Sequence, residues 1–139
     1  MKRNPLRKAL AERRPLIGTW INMIRNPAVL ALLRAAGLDY ARVDMEHSSP
    51  SIETIADMAL LARALEFPIV VRPPEGSREW VTRLLDSGVW NVQVPQVDTP
   101  EQAEAVVRAA RYAPAGMRGM AGGFTPHTDF EGGPPGWHT

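Results

Sequence analysis

The chain has 139 residues and a formal net charge of +1 at pH 7, enough for one domain with a core and too balanced for a general attraction to nucleic acid or anionic membrane. It has no cysteine, which excludes disulfides, thiolate catalysis and Cys-based metal sites. No apolar run reaches the roughly 18 residues that span a membrane, so a cytoplasmic protein is the expectation.

The N-terminus, "MKRNPLRKALAERRP", is basic but lacks the apolar stretch of a secretory signal. It reads as a surface helix from about Pro5 to Arg13 that leads into the domain. "LIGTWI" follows as a short apolar run. Asn26-Pro27 is a helix cap with proline in the first turn, "AVLALLRAAG" is the helix, and Gly37 stops it. "LDYARVD" is the next strand, followed by a helix from about Ser51 to Leu65. "FPIVVRPP" is a strand ended by its prolines. "SREWVTRLLDSG" is a helix between a Ser77 cap and a Gly88 stop. "VWNVQVPQV" is the last strand, and Thr99-Pro100-Glu101-Gln102 is a capping box that opens a helix through "AEAVVRAARY".

Strand and helix therefore alternate in units of roughly 25 to 30 residues, with nearly continuous apolar strands between amphipathic helices. This is the pattern of an α/β fold with a parallel sheet, either doubly wound or a piece of a (β/α)8 barrel. From Pro114 onward Gly and Pro dominate and no period survives, so a loop or irregular end is expected there.

In parallel α/β folds, functional groups gather where the strands end. Here those ends carry Asp44, Glu46 and His47, then Arg72, then Pro95-Gln96. A histidine beside a carboxylate is an oriented base. An arginine holds a carboxylate or steadies a developing oxyanion. A rim carboxylate can help hold a divalent metal. Together they suit proton abstraction beside a carbonyl, with an enolate intermediate. Each also has a plain reading: Asp44 as a cap of the next turn, His47 as a loop histidine, Arg72 as a surface charge. Their convergence on one rim favours the chemical reading.

His127, His138, Asp129 and Glu131 lie in the Gly/Pro tail without ligand-like spacing and are expected to be solvated. Met23, Met45 and Met58 are expected to fill core gaps, and Trp80 and Trp90 to pack between helix and sheet. "AGMRGMAGG" matches neither a phosphate-binding loop nor a dinucleotide fingerprint.

"GTW", "VDMEH", "VVRPP", "LLDSG", "VPQVDTPEQAEAVV" and "RYAPAGMRG" together resemble, in order and spacing, the HpcH/HpaI aldolase family over about residues 4 to 124. These are metal-dependent class II pyruvate aldolases of the phosphoenolpyruvate/pyruvate superfamily. The resemblance implies a (β/α)8 barrel in a homo-oligomer. It also implies a divalent cofactor (Mg2+, Mn2+ or Co2+) and pyruvate or a related 2-oxo acid as substrate. By motif, His47 resembles the base, working with Asp44, and Arg72 the arginine that steadies the enolate. Glu46 belongs to the same rim cluster and supports the metal shell. Gln96 reaches that rim. Asp86 matches an acid near the active site or a subunit contact, and Arg118 the arginine of the glycine-rich loop.

The family's metal ligands, a Glu in a "QIE"-like strand end and an Asp in a later "G-x-x-D" segment, have no match in this sequence, so no metal ligand is assigned. The expected organisation is a half-barrel, about four of eight units, over residues 1–124 and an irregular tail over 125–139. A truncated or split carbon–carbon lyase is expected, inactive without the missing half; a homo-oligomer or a complementing second-half chain is the expected partner, and homodimerisation would double the rim without supplying the metal ligands. The alternatives are a non-catalytic binding or scaffold protein and a gene remnant that keeps the half-barrel.

Overall fold

The computed structural model describes residues 4–120 and 125–129. In chain order these form α1 (Pro5–Ala11), β1 (Gly18–Ile21), α2 (Val29–Ala35), β2 (Tyr40–Asp44), α3 (Ile52–Leu65), β3 (Ile69–Arg72), α4 (Arg78–Asp86), β4 (Asn91–Val92), α5 (Pro100–Ala110) and a 3-10 turn (Pro126–Thr128). The four strands lie side by side in chain order, all parallel. The α/β alternation read from the sequence is the architecture observed.

Local chemistry sets the helix ends. The Ser51 side chain accepts from the Thr54 N–H at the start of α3. Thr99 and Gln102 form both halves of a capping box at α5, with Pro100 in its first turn. Asn26 accepts from the Ala28 N–H at 3.0 Å, and regular helix begins only at Val29. Gly37 and Gly88 follow their helices at φ +85° and +90°, the left-handed region that side chains disfavour. Gly88 is further confined: a Cβ there would lie 3.1 Å from Arg63 and 3.2 Å from Pro126.

Strand periodicity sets the faces. Ala41, Val43, Ile69 and Val71 point to the helices and pack with Leu30, Ile55, Met58 and Leu84, all at most 1% exposed. Each such side chain contributes roughly 1.5–3 kcal/mol of burial. The intervening residues, Trp20, Arg42, Asp44, Val70 and Arg72, share the opposite face, where the register sets Asp44 beside Arg72 and Trp20 beside Arg42. Gly18 lies beneath the Tyr40 ring, where a Cβ would come within 2.5 Å of it.

Four expectations are corrected. The N-terminal helix is not merely a surface lead-in. Leu6 and Ala9 are buried, and Asn4 both caps α1 and donates to Asn91 Oδ1 at 2.7 Å, fastening the helix to the start of β4. The last strand is two residues rather than the full "VWNVQVPQV". It is an edge strand, and beyond it Pro95 has no N–H while Gln96 turns to φ +53°. Met23 is 85% exposed rather than a core filler, because it sits in the loop past the end of β1; Met45 and Met58 are buried. Part of the tail is packed: Thr128 is buried, and the turn it closes rests on α4. His138 and Glu131 lie outside the described residues.

Candidate active site

Asp44 ends β2 almost completely buried, at 1% exposure, and Arg72 ends β3 beside it. The guanidinium forks onto the carboxylate, Nε to Oδ1 at 2.9 Å and Nη2 to Oδ2 at 2.8 Å. Asp44 Oδ1 also accepts the backbone N–H groups of Glu46 at 2.9 Å and His47 at 3.4 Å. Asp44 therefore caps the turn, as its plain reading has it, and also holds the arginine. The Arg72 hydrogen bonds, aided by the two backbone donors, hold its carboxyl below the usual carboxylate range despite burial. The same pairing pushes Arg72 further up.

Glu46 is the junction of the rim. Its Oε2 forms an ion pair with Arg72 Nη1 at 3.0 Å and faces His47 Nε2 at 3.5 Å, while Oε1 accepts from Gln96 Nε2 at 2.9 Å. The Glu46 side chain is 9% exposed and the His47 side chain 69%. Gln96 makes its contact from a left-handed backbone, a conformation that costs a non-glycine residue about 1–3 kcal/mol. Trp20 closes the back of the cluster, its ring 4.7 Å from the Arg72 guanidinium. An aromatic, a cation, a carboxylate and an imidazole thus stand in a row, with the carboxylate the most buried of the four and the imidazole the most open.

The carboxylate beside the imidazole is Glu46, not Asp44, whose oxygens reach His47 only through its backbone N–H. Both Glu46 oxygens are engaged by Arg72, Gln96 and His47 rather than left for a metal shell. Trp20 was not singled out as a site residue, although it shares a face and adjoining strands with Arg42 and Arg72.

The cluster does not by itself fit a divalent metal. Among the described residues no group of three or more His, Asp or Glu could hold one, and the two rim carboxylates are spent on Arg72.

Asp86 and Arg118 meet each other instead of the rim. Arg118 Nε and Nη2 donate to Asp86 Oδ1 at 3.2 and 2.5 Å, and the guanidinium lies 4.8 Å from the Tyr112 ring. Asp86 ends α4, so this pair sits where the strands begin, away from His47. The tail joins the same end. Arg63 donates to Asp129 at 2.7 Å and to the carbonyls of Gly88 and His127, and lies 4.9 Å from the Trp90 ring. His127 is bracketed by the Tyr112 and Thr125 hydroxyls at 3.2 and 2.7 Å. Asp129 and His127 are thus docked against the domain rather than solvated, because a buried arginine needs acceptors that only the returning chain supplies.

Comparison with known proteins agrees with the fold. The family model of the HpcH/HpaI aldolase/citrate lyase domain matches residues 16–128. A hydroxypyruvate/pyruvate aldolase of Deinococcus radiodurans is 41% identical over 118 residues, which cover 84% of this chain and 42% of that protein. A hydroxypyruvate/pyruvate aldolase of Delftia acidovorans is 35% identical over 131 residues, covering 94% and 48%. The crystal structure of an HpcH/HpaI aldolase from Desulfitobacterium hafniense superposes with a TM-score of 0.84 at 35% identity, over 91% of this chain and 48% of that one. The chain spans about half the length of the curated relatives it matches.

Proposed function

The chain belongs to the HpcH/HpaI aldolase/citrate lyase family, and from that premise we propose that its rim is the proton-transfer half of a carbon–carbon lyase site for pyruvate or a related 2-oxo acid. The observation that carries this reading is the one carboxylate, Glu46, that lies between the arginine and the imidazole. With the Nε2 proton of His47 directed at Glu46, Nδ1 holds the lone pair that removes a proton from the substrate methyl group. The imidazole is the open member of the set, as a base that meets a small substrate must be.

Arg72 supplies the other need of the step. Of its N–H donors, two are hydrogen-bonded to Asp44, and Nη1 is ion-paired with Glu46. The others are left for the oxygen on which enolate charge develops, and Trp20 and the two carboxylates fix the plane from which they point. Two carboxylates against one guanidinium leave the cluster with excess negative charge. An anionic oxo acid therefore needs further positive charge from outside these residues, which is the role a divalent ion plays in this family. No step is routed through such an ion here, since these residues do not form its site. The chain by itself is accordingly expected to show little or no turnover.

The test joins residues 1–118 to the remaining part of the Deinococcus radiodurans relative and follows loss of the pyruvate methyl signal in heavy water by NMR, with Mn2+ or Co2+ present. The chimera is expected to exchange, and His47→Ala or Arg72→Ala to abolish exchange while circular dichroism stays unchanged. Undiminished exchange in the folded His47→Ala chimera would refute the assignment of the base.

A further inference from the structure

The loops that follow the four strands, residues 22–28, 45–51, 73–77 and 93–99, carry Glu46, Glu75 and Asp98 but only one lysine or arginine, Arg25. Arg72, which ends β3, is a second cation on this rim, and it is matched by Asp44 and Glu46. Arg25 is held differently. Its Nη2 donates to the Ser49 carbonyl at 3.2 Å and to the Ser49 hydroxyl at 3.0 Å. Both oxygens are neutral, so they position the guanidinium and leave its charge uncancelled. The other arginine side chains held by hydrogen bonds among the described residues, Arg14, Arg63, Arg72 and Arg118, each meet a carboxylate. Arg25 is exposed to solvent, and its charge is available to an incoming anion.

Its place on the rim gives that charge a use. Ser49 is two residues past His47, so their Cα atoms are at most about 7.6 Å apart. The strand order β1-β2-β3 sets the His47 loop between the loop of Arg25 and the end of β3. Arg25 and Arg72 thus approach that loop from the two strands that flank it. In the function proposed above, Arg72 faces the enolate oxygen and His47 the methyl carbon. In the carbon–carbon bond-forming direction, that carbon bonds to the carbon of an aldehyde, and the proton taken from the methyl group returns to the aldehyde oxygen. The aldehyde therefore meets the imidazole on the side that Arg72 does not occupy.

We propose that Arg25 is a specificity-determining residue that binds a carboxylate on the aldehyde substrate, so that acidic aldehydes are preferred to neutral ones. The planar fork of a guanidinium matches a carboxylate, and the Ser49 contacts hold it in advance, which lowers the ordering cost of binding. This inference rests on the proton-transfer reading and adds the second substrate to it.

The chimera described above, with pyruvate as donor, is given glyoxylate and succinic semialdehyde, which carry a carboxylate, and glycolaldehyde, which is neutral. Arg25→Gln keeps a donor for Ser49 and removes the charge, so it separates recognition from a clamp between loops. It should raise KM for an acidic aldehyde by about tenfold or more with kcat little changed, and leave glycolaldehyde unaffected; Arg25→Lys should fall between. Arg34→Ala, on the exposed last turn of α2, controls for net charge. Equal losses with acidic and neutral aldehydes, or no loss with any, would overturn the proposal. Deuterium exchange into pyruvate needs no aldehyde and reports on proton transfer separately, so exchange without acid selectivity sinks the Arg25 assignment alone. A parent chimera without exchange sinks the proton-transfer reading, and saturation-transfer NMR of glyoxylate with the 139-residue chain then decides the rest. Transfer that is lost in Arg25→Gln upholds the carboxylate site; transfer that survives there, or is absent from the parent chain, overturns it.

Discussion

At both ends of the sheet an arginine lies against a tryptophan and is held by a carboxylate, and the two ends use that unit differently. At the strand-ending rim, Arg72 is 4.7 Å from Trp20 and its side chain is 21% exposed. At the strand-starting end, Arg63 is 4.9 Å from Trp90 and its side chain is 5% exposed. Arg63 spends its donors on Asp129 and on two backbone carbonyls, tying α3, the approach to β4 and the tail together. Arg72 is hydrogen-bonded to one carboxylate and ion-paired with a second, and next to that second one stands an imidazole open to solvent. The arginine–aromatic–carboxylate unit is thus a packing device at one end, and at the other, in the function proposed above, the support of a titratable group.

The contrast can be broken or sharpened by substitution, beginning with the largest expected effect. Arg63→Ala removes a buried cation and strands Asp129 and two carbonyls; urea denaturation should register a loss of roughly 3–5 kcal/mol. A loss under 1 kcal/mol would remove the structural half of the comparison. Asp44→Asn should cost roughly 1–3 kcal/mol, since one oxygen no longer accepts as a carboxylate. It should also change the pH dependence. The folded carboxyl lies below its ordinary value, so its contribution is complete above about pH 4 and disappears as pH falls through the lower folded value. Denaturation midpoints in acid should therefore fall less steeply in Asp44→Asn than in the parent chain.

Thr99→Ala touches neither end and loses one half of the α5 capping box. It should cost about 1 kcal/mol at neutral pH, which gives the baseline for a purely local effect. His47→Ala should be the mildest in stability, within about 0.5 kcal/mol, because the ring is mostly outside the packed interior. In the chimera the ranking should invert, with His47→Ala among the most damaging to exchange and Thr99→Ala without effect.

Much of the fold was legible because its causes are local. A cap and its N–H lie three residues apart, as at Ser51 and Thr54, and strand faces follow a two-residue alternation that Ala41 and Val43 display. The rim was legible because parallel strands deliver their last residues to one side, which brought Asp44, Glu46, His47, Arg72 and Gln96 into view together. Met23 was misread because a methionine carries no sign of whether the strand before it has already ended. His127 and Asp129 were misread because a Gly/Pro-rich stretch says nothing about a buried arginine more than sixty positions earlier.

By itself, then, the sequence determined the order of elements, the parallel sheet and which residues meet at the strand-ending rim, all of which follow from short-range periodicity, capping and chain direction. Its motifs, by resemblance, pointed to the family. The tertiary structure alone decided the partners within the rim. Arg72 can fork onto Asp44 only when β2 and β3 are in register, and once it has done so, Glu46 is the carboxylate left to face His47. It also decided that Asp86 pairs with Arg118 at the far end. Those outcomes depend on distances between residues far apart in the chain, which no local pattern encodes.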